Sequence, residues 1–204
     1  MDPFTILRST AAALPWSNVD TDMIIRVERC VRTLRAEMGR WAFEMARFDS
    51  AGRDDPEFPL NQEKFRGAQI LVAGENFGCG SSREMAVWAI AGMGFRCVIA
   101  PSFGDIFYNN CFQNGVLAIR LPRSAVDGML AALAAAPAPV ELTVDLPAQT
   151  LAAPDGEMHA FEIDALRKKA LLEGLDAIGV TLEREPAIAA WQERDRARRP
   201  WVWR

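Results

Sequence analysis

Residues 69–121 read QILVAGENFGCGSSREMAVWAIAGMGFRCVIAPSFGDIFYNNCFQNGVLAIRL, and this stretch sets the predicted fold. It opens with the apolar run at residues 70–73, which predicts a buried strand. Glycines stand at positions 74, 78 and 80, and the turn ends in Ser-Ser-Arg-Glu at residues 81–84, where an apolar helical pattern begins. A strand, a glycine-rich turn and a helix start make a candidate anion site, because the first helical N–H groups lack partners and the helix dipole favours negative charge.

The same residues also have a purely structural interpretation. Ser81 and Glu84 have the spacing of a capping box, which stabilises a helix end without any ligand, and the glycines can serve the turn geometry alone. Neither G-x-G-x-x-G nor Gly-Lys-Ser/Thr is present, so the dinucleotide and phosphate-loop motifs do not apply. The residues alone therefore leave two alternatives open, a site for a small carboxylate or phosphate and a helix cap.

Beyond the glycine turn, helices and strands are predicted to alternate. We expect helices at residues 82–92 and 103–113, the second capped by Ser102, and strands at residues 96–100 and 116–121. Strand–helix–strand order at this spacing favours parallel pairing with right-handed crossovers, which indicates an α/β fold.

The N-terminal part of the chain supplies a lead-in strand within residues 1–14 and a polar turn at residues 18–22. This turn is either a well-capped start of the next element or a means of holding the Asp22 carboxylate where it can orient another group. Residues 26–48 are predicted to be amphipathic and partly helical. Their apolar positions at helical spacing are Val27, Val31, Leu34, Met38 and Trp41.

The C-terminal part predicts a helix at residues 124–136 and a pair of strands at 140–146 and 158–163, joined by a turn at 154–156. Asp164 is expected to cap a helix that ends at Gly174, and a last helix is expected at residues 186–194. Residues 195–204 form a basic segment with two tryptophans, for which we expect a flexible, solvated tail and leave contact with a partner as the alternative. Because no linker divides the chain, residues 1–204 are expected to form a single domain.

Composition limits the classes of function. The 204 residues carry a net charge of −4, with a sequence pI near 5.2, so nucleic acid is not an expected partner. No apolar run approaches the length of a membrane span and no signal peptide is apparent, so we expect a cytoplasmic protein with no membrane partner. The four cysteines are widely spaced, without C-x-x-C, which argues against a metal or iron–sulfur site held by this chain alone.

Four segments together resemble one protein family. They read NVDTDMII at 18–25, GENFGCGSSRE at 74–84, VIAPSFGDIFYNNCFQNG at 98–115 and FEIDALRKKALLEGLDAIGVTLE at 161–183. In this order they resemble the small subunits of 3-isopropylmalate dehydratase (isopropylmalate isomerase), a branch of the aconitase superfamily. The resemblance implies an α/β fold of three layers, the β/β/α swivelling domain of that superfamily.

The resemblance also implies an enzyme of two subunits, in which this chain is not active alone. The family dehydrates and rehydrates a hydroxy-dicarboxylic acid, moving a hydroxyl from C2 to C3 of isopropylmalate through an alkene during leucine biosynthesis. A [4Fe–4S] cluster is expected on a separate large subunit and no cofactor on this chain. The expected partners are that cluster-bearing subunit and a small hydroxy-dicarboxylic acid substrate.

Residue roles follow from the matching motifs. By resemblance, Ser81 is the base, acting as an alkoxide that a helix N-terminus, N–H donors and Arg83 would stabilise. Ser82 and Arg83 would bind a substrate carboxylate, which suits the fork of a guanidinium. Asp22 would orient groups contributed by the large subunit. The remaining expected substrate contacts, at the Thr-Asp motif and at glycines that permit close backbone approach, are Thr21, Gly78 and Gly80.

Three segments depart from the usual family pattern. Met85 replaces a histidine, Arg26 opens a segment that usually reads Pro-Lys-x-Phe-Leu, and Lys169 opens one that usually reads His-Cys-x-x-Asn-Gly-Leu-Asp. The intact Ser-Ser-Arg core favours retained dehydratase chemistry. The departures leave two further alternatives, a paralogous dehydratase for another hydroxy-dicarboxylic acid (another alkylmalate or homoaconitate type) and a non-catalytic binding protein.

Overall fold

The computed structural model describes residues 1–80, 82–153 and 156–203. The strands described are β1 Ile6–Leu14, β2 Ile70–Ala73, β3 Cys97–Ala100, β4 Leu117–Arg120, β5 Glu141–Asp145, β6 Thr150–Ala152 and β7 Met158–Ala160. The α-helices described are α1 Thr21–Ile24, α2 Val27–Arg32, α3 Glu44–Arg47, α4 Glu84–Gly92, α5 Asp105–Gln113, α6 Arg123–Ala135, α7 Ala165–Glu173, α8 Ala177–Leu182 and α9 Glu185–Arg198. Short 3-10 helices occupy Arg35–Trp41, Pro59–Asn61, Glu63–Phe65 and Pro200–Trp203.

The seven strands form one sheet in the order β4-β3-β2-β1-β5-β6-β7. Strand β1 joins two halves of this sheet, because its residues 11–14 pair with β2 in parallel while its residues 6–10 pair with β5 antiparallel. We call β2, β3, β4 and the second half of β1 the parallel half, and β5, β6 and β7 the antiparallel half. The parallel pairing and the α/β class predicted from the alternating elements are confirmed.

The core is centred on the parallel half. All four residues of β2 and all four of β3 are buried, which requires cover on both faces and explains why both strands read as unbroken apolar runs. Helix α6 packs on β1, β2 and β3 with its buried stripe of Val126, Met129, Leu130 and Leu133. Helix α4 packs against the 3-10 helix Arg35–Trp41.

The prediction for the C-terminal strands is wrong in its pairing. The segments predicted at 140–146 and 158–163 do not pair with each other, because β6 lies between β5 and β7 and pairs with both. Three residues, Thr-Leu-Ala, are too short to show an alternating pattern. Of the predicted turn at 154–156, Pro154 and Asp155 lie outside the described residues.

The predicted apolar face of residues 26–48 is also wrong. Val27, Val31 and Leu34 are between 49% and 81% exposed. The chain is extended at Thr33 and Leu34, between α2 and the 3-10 helix Arg35–Trp41, so the helical spacing does not continue through the segment. Met38 is buried and Trp41 packs on the edge of the core.

Two helix boundaries differ from the prediction. Gly104, and not Ser102, is the N-cap of α5, because the Ser102 hydroxyl accepts a hydrogen bond from the Asn76 N–H at 2.8 Å. Helix α9 continues to Arg198 instead of ending near residue 194. The single domain and the flexibility of residues 195–204 stay predictions. In the part of the chain that is described, no helix combines the length and apolar character needed to cross a membrane.

Candidate functional site

The candidate site lies at the carboxyl edge of the parallel half. Strands β1, β2 and β3 run in the same direction, so the loops that follow them, at residues 15–20, 74–80 and 101–104, leave the sheet at one edge. In open α/β sheets this edge is where ligands bind. Here it carries the glycine turn and the Thr-Asp motif.

The glycine turn is held from both sides by backbone hydrogen bonds. On one side the Gly78 N–H donates to the Val19 carbonyl at 2.7 Å, and the Thr21 N–H donates to the Cys79 carbonyl at 3.0 Å. On the other side the Phe77 N–H donates to the Ser102 carbonyl at 3.1 Å, and the Gly104 N–H donates to the Phe77 carbonyl at 2.9 Å. The turn is therefore fixed by tertiary pairing and not by its own sequence alone.

Gly78 is required by both conformation and space. Its φ is +72°, in the left-handed region, and a Cβ on it would lie 2.2 Å from the ring atom Cγ of buried Phe107. Gly80 has a φ of +94° and is exposed, with only the Asp20 side chain near its missing Cβ. The first glycine thus packs the turn onto α5, and the second gives the exposed backbone just before the Ser-Ser-Arg sequence.

Asp22 and Arg83 are brought together across 61 residues of sequence. Asp20 caps α1 by accepting a hydrogen bond from the Met23 N–H at 2.7 Å, which places Asp22 in the first turn of that helix. Arg83 is the residue directly before α4, and its Nη1 donates to the Asp22 Oδ1. This hydrogen bond raises the pKa of the Arg83 guanidinium, so the site presents a permanent cation held by a carboxylate.

Two cysteines border this pair. Burial raises the pKa of the Cys30 thiol, while the Arg83 guanidinium opposes the shift and the Asp22 carboxylate adds to it. Burial also raises the pKa of the Cys79 thiol, and Asp20 adds to that shift. Both thiols are therefore held in the neutral form, which is the weak nucleophile and the weak ligand.

The capping-box interpretation of Ser81 and Glu84 is wrong. Arg83 is the N-cap of α4 and its side chain gives no capping hydrogen bond, so Glu84 occupies the first helical position and not the third. The Glu84 side chain points to another element, where its Oε1 accepts from the Asn114 Nδ2 at 2.9 Å. Ser81 itself lies outside the described residues.

Asn114 is a site-supporting residue that the sequence reasoning missed. It follows α5, and its side chain binds three others: Nδ2 donates to Glu84, while Oδ1 accepts from Trp88 Nε1 at 2.9 Å and from Arg35 Nη2 at 2.8 Å. These bonds tie the first turn of α4 to the end of α5. The Asn-Gly pair in the sequence predicts only a helix end, and nothing local to it signals contacts so distant in sequence.

The remaining predicted residues are divided between surface and interior. Ser82 and Gly80 are exposed, and Arg83 is 24% exposed beside an Asp22 that is 58% exposed. Thr21 is 1% exposed and Gly78 is buried, so in this structure both support the glycine turn from its buried side. The exposed group can bind a small anion through a guanidinium, a hydroxyl and the start of a helix.

The positions that depart from the family pattern have structural partners. Met85 packs against the hydrophobic core from the first turn of α4. Lys169 on α7 pairs with Glu183 after α8 at 2.6 Å, and Arg26 pairs with Glu28 at 3.2 Å. Within the described residues, no group of three or more His, Cys, Asp or Glu side chains is arranged to hold a metal ion.

Known families match along almost the whole chain. The family model of the aconitase C-terminal domain matches residues 1–124 and the LeuD_N model matches residues 129–165. The model of the C-terminal domain of the 3-isopropylmalate dehydratase small subunit matches residues 178–202. A solved structure of 3-isopropylmalate dehydratase from Methanocaldococcus jannaschii aligns with a TM-score of 0.65 and 27% identity, covering 91% of this chain and 98% of that one.

Curated relatives align with this chain over their full length. The 3-isopropylmalate dehydratase small subunit of Jannaschia sp. is 52% identical over 202 residues, and that of Roseobacter denitrificans is 50% identical over 202 residues. Each alignment covers 99% of this chain and 100% of the relative. With the aconitase-type α/β fold and the Asp22–Arg83 pair at the glycine turn, these matches confirm the resemblance seen in the sequence: the chain belongs to the family of 3-isopropylmalate dehydratase small subunits.

Proposed function

We propose that this chain is the small subunit of a two-subunit hydro-lyase that converts 2-isopropylmalate into 3-isopropylmalate in the cytoplasm, during leucine biosynthesis. The observation that carries the proposal is the exposed Asp22–Arg83 pair beside the glycine turn, in a chain about half identical to named small subunits. The chain would supply the serine base and the contacts to a substrate carboxylate.

Arg83 is suited to hold the carboxylate. One guanidinium nitrogen is engaged by Asp22, which fixes the side chain and leaves further N–H donors for a ligand. A guanidinium binds a carboxylate through two parallel hydrogen bonds, and such charge-assisted bonds are roughly twice as strong as neutral ones. The exposed hydroxyl of Ser82, the residue directly before Arg83, would add a third hydrogen-bond donor.

Ser81 is proposed as the base that removes the proton from the carbon next to that carboxylate. A serine alkoxide needs strong stabilisation, which positive charge and oriented N–H groups can supply. Its place in the chain supports this role, because it lies two residues before Arg83 and shortly before α4, whose N-terminus favours negative charge. Asn114 would act as a positioning residue, since it ties Glu84 in the first turn of α4 to the end of α5.

The other half of the active site is proposed to lie on a large subunit. A [4Fe–4S] cluster held there would supply the Lewis-acid chemistry needed for loss of the hydroxyl. On this chain, Arg83, held in place by Asp22, would position the substrate carboxylate, and Ser81 would hold the proton between dehydration and rehydration. Because the proton returns to the neighbouring carbon, a single base serves both directions of the isomerisation.

The test is reconstitution with the cluster-bearing large subunit of the same organism. The reconstituted pair is expected to convert 2-isopropylmalate, whereas neither subunit is expected to act alone. The reaction is monitored through the absorbance of the alkene intermediate. Ser81→Ala should lower kcat by roughly 10²–10⁴-fold, the usual contribution of a positioned acid–base group. Arg83→Lys should raise KM by roughly 10–100-fold, because a hydrogen bond to a charged group contributes about 1.5–3 kcal/mol.

Arg8→Lys is the matched control, because Arg8 on β1 also pairs with a carboxylate, that of Glu141 on β5. It should leave KM within twofold of the wild type. A reconstituted pair that ignores 2-isopropylmalate but dehydrates another alkylmalate, citrate or homocitrate would replace the proposed substrate with that of a paralogue. A pair in which Ser81→Ala retains full turnover would rule out the serine base.

A further inference from the structure

The C-terminal segment, residues 177–203, is built differently from the rest of the chain. It comprises α8, α9 and the 3-10 helix Pro200–Trp203, and we call it the arm. The arm is described in full, and Asp195 is its only buried residue. Helix α9 is packed against no other element except the final 3-10 helix, apart from minor contacts.

Large apolar side chains are concentrated on the arm and left open to solvent. Six of them are between 37% and 68% exposed: Ile178, Leu182, Ile188, Trp191, Trp201 and Val202. Trp201 and Val202 are consecutive residues of the 3-10 helix Pro200–Trp203, and large apolar side chains that lie next to each other on a surface mark interaction sites.

The arm is stabilised by local contacts instead of a core. Asp176 caps α8 by accepting from the Gly179 N–H at 2.7 Å. At the other end, Asp195 accepts from Arg199 Nε at 2.7 Å and from Trp203 Nε1 at 2.9 Å. These contacts fold the last residues back onto α9 and leave Trp201 and Val202 facing solvent. A surface that is folded before it binds loses less conformational entropy on association.

The end of the arm is positively charged, although the arm as a whole carries a net charge of only +1. Residues 194–203 carry four arginines and one aspartate, a net charge of +3, on a chain whose net charge is −4. Tryptophan and arginine are also the residue types most enriched among those that dominate binding energy. The complementary surface is therefore an apolar pocket with an acidic rim.

Family matches indicate which partner carries that pocket. The aconitase C-terminal domain model ends at residue 124, whereas the arm is matched by the model specific to the C-terminal domain of the small subunits. The arm is thus characteristic of chains that form a separate small subunit. No covalent linker holds the candidate site of such a chain against the large subunit. A second contact, at the arm, would raise the effective concentration of the candidate site at the large subunit.

We propose that the arm is a docking element for the large subunit, with Trp201 and Val202 filling an apolar pocket that acidic side chains surround. This proposal rests on the proposed function, because it presupposes a large subunit. The arm would act as an anchor in addition to the Asp22–Arg83 site, holding the two subunits together.

The proposal is tested by titrating the large subunit with the full-length chain, using calorimetry and the concentration that gives half-maximal activity. Trp201→Ala combined with Val202→Ala should weaken the complex at least about tenfold, as loss of a central anchor does. Met158→Ala is the matched control, because Met158 is a similarly exposed apolar residue on β7, and it should change the affinity less than twofold. Arg194→Gln combined with Arg198→Gln should reduce the dependence of the affinity on salt.

Three outcomes would overturn the proposal. One is an affinity of the Trp201/Val202 variant within twofold of the wild type. Another is an equal loss in Met158→Ala, which would remove the specificity of the arm. The third is a free wild-type chain that dimerises while the Trp201/Val202 variant is monomeric with unchanged affinity for the large subunit, since the occupant would then be a second copy. A wild-type pair that binds but leaves 2-isopropylmalate unchanged would contradict the proposed substrate and leave the docking role intact.

Discussion

The parallel half of the sheet and the arm show two different ways of making stable secondary structure. In the parallel half, β2 and β3 are buried completely, and the glycine turn after β2 is fixed by hydrogen bonds to the loops that follow β1 and β3. In the arm, no apolar side chain is buried. Its helices are stabilised by the Asp176 cap of α8, by the acidic first turn and basic last turn of α9, and by the hydrogen bonds of Asp195 to Arg199 and Trp203.

The roles proposed for the two regions account for this difference. A catalytic site needs side chains held by packing from several directions, because small displacements of the reacting groups are costly. A docking element needs the opposite, an ordered surface whose apolar side chains are still available. Substitutions should therefore act on folding in the parallel half and on subunit association in the arm.

The largest effect is expected at Gly78. Gly78→Ala places a Cβ 2.2 Å from the Phe107 ring at a φ of +72°, whereas Gly52→Ala meets nothing within 4 Å at a φ of +75°. We expect Gly78→Ala to lower the free energy of unfolding by about 3–5 kcal/mol, from overpacking and left-handed strain together, and Gly52→Ala by about 1 kcal/mol from strain alone. Urea unfolding measures both, and equal losses would show that packing around the turn contributes nothing.

The next largest effect is expected for a buried leucine compared with an exposed one, measured as the change in the free energy of unfolding. Leu117 on β4 is fully buried, whereas Leu182 on α8 is 56% exposed. Leu117→Ala should lower the free energy of unfolding of the free chain by about 3 kcal/mol, because it removes buried methyl groups and leaves a cavity. Leu182→Ala should stay within about 0.5 kcal/mol of the wild type. A loss of about 3 kcal/mol for Leu182→Ala, the size expected for a buried leucine, would mean that the arm packs on the body in solution.

The smallest effect is a local dependence on pH at the end of the arm. The Arg199 hydrogen bond, and then the Trp203 indole, lower the pKa of Asp195 below its usual range. Because the pKa in the folded arm is lowered, this contribution to stability is fully present above the ordinary aspartate pKa, about 3.9, and is lost as the pH falls through the lower folded value. The indole N–H signal of Trp203 in NMR spectra should report the loss.

Asp195→Asn is the control for this pH dependence, since it removes the titrating carboxylate at the same position. In that variant the Trp203 signal should not follow the acid transition, and urea unfolding at neutral pH should match the wild type. If Asp195→Asn instead lowered the midpoint of global unfolding, the arm would be coupled to the core and the contrast between the two regions would fail.

Local signals in the sequence were enough for the elements that depend on local interactions. The apolar runs of β2, β3 and β4 predicted buried parallel strands, and the Asp164 cap and Gly174 end predicted α7. Such signals work because burial on both faces, capping and left-handed helix ends each leave a mark within a few residues. Similarity of the motifs added the family and the candidate residues Ser81, Asp22 and Arg83.

The features that local sequence patterns did not predict depend on contacts between residues far apart in the chain. No local pattern separates the six residues of α2 from the 3-10 helix after them, reveals β6, or shows that Val31 is exposed while Met38 is buried. The Asp22–Arg83 contact and the Asn114 bridge likewise exist because β1, β2 and β3 lie side by side and bring their loops to one edge. Residues so distant in sequence meet only through the register of strands between them, which is a property of the assembled sheet.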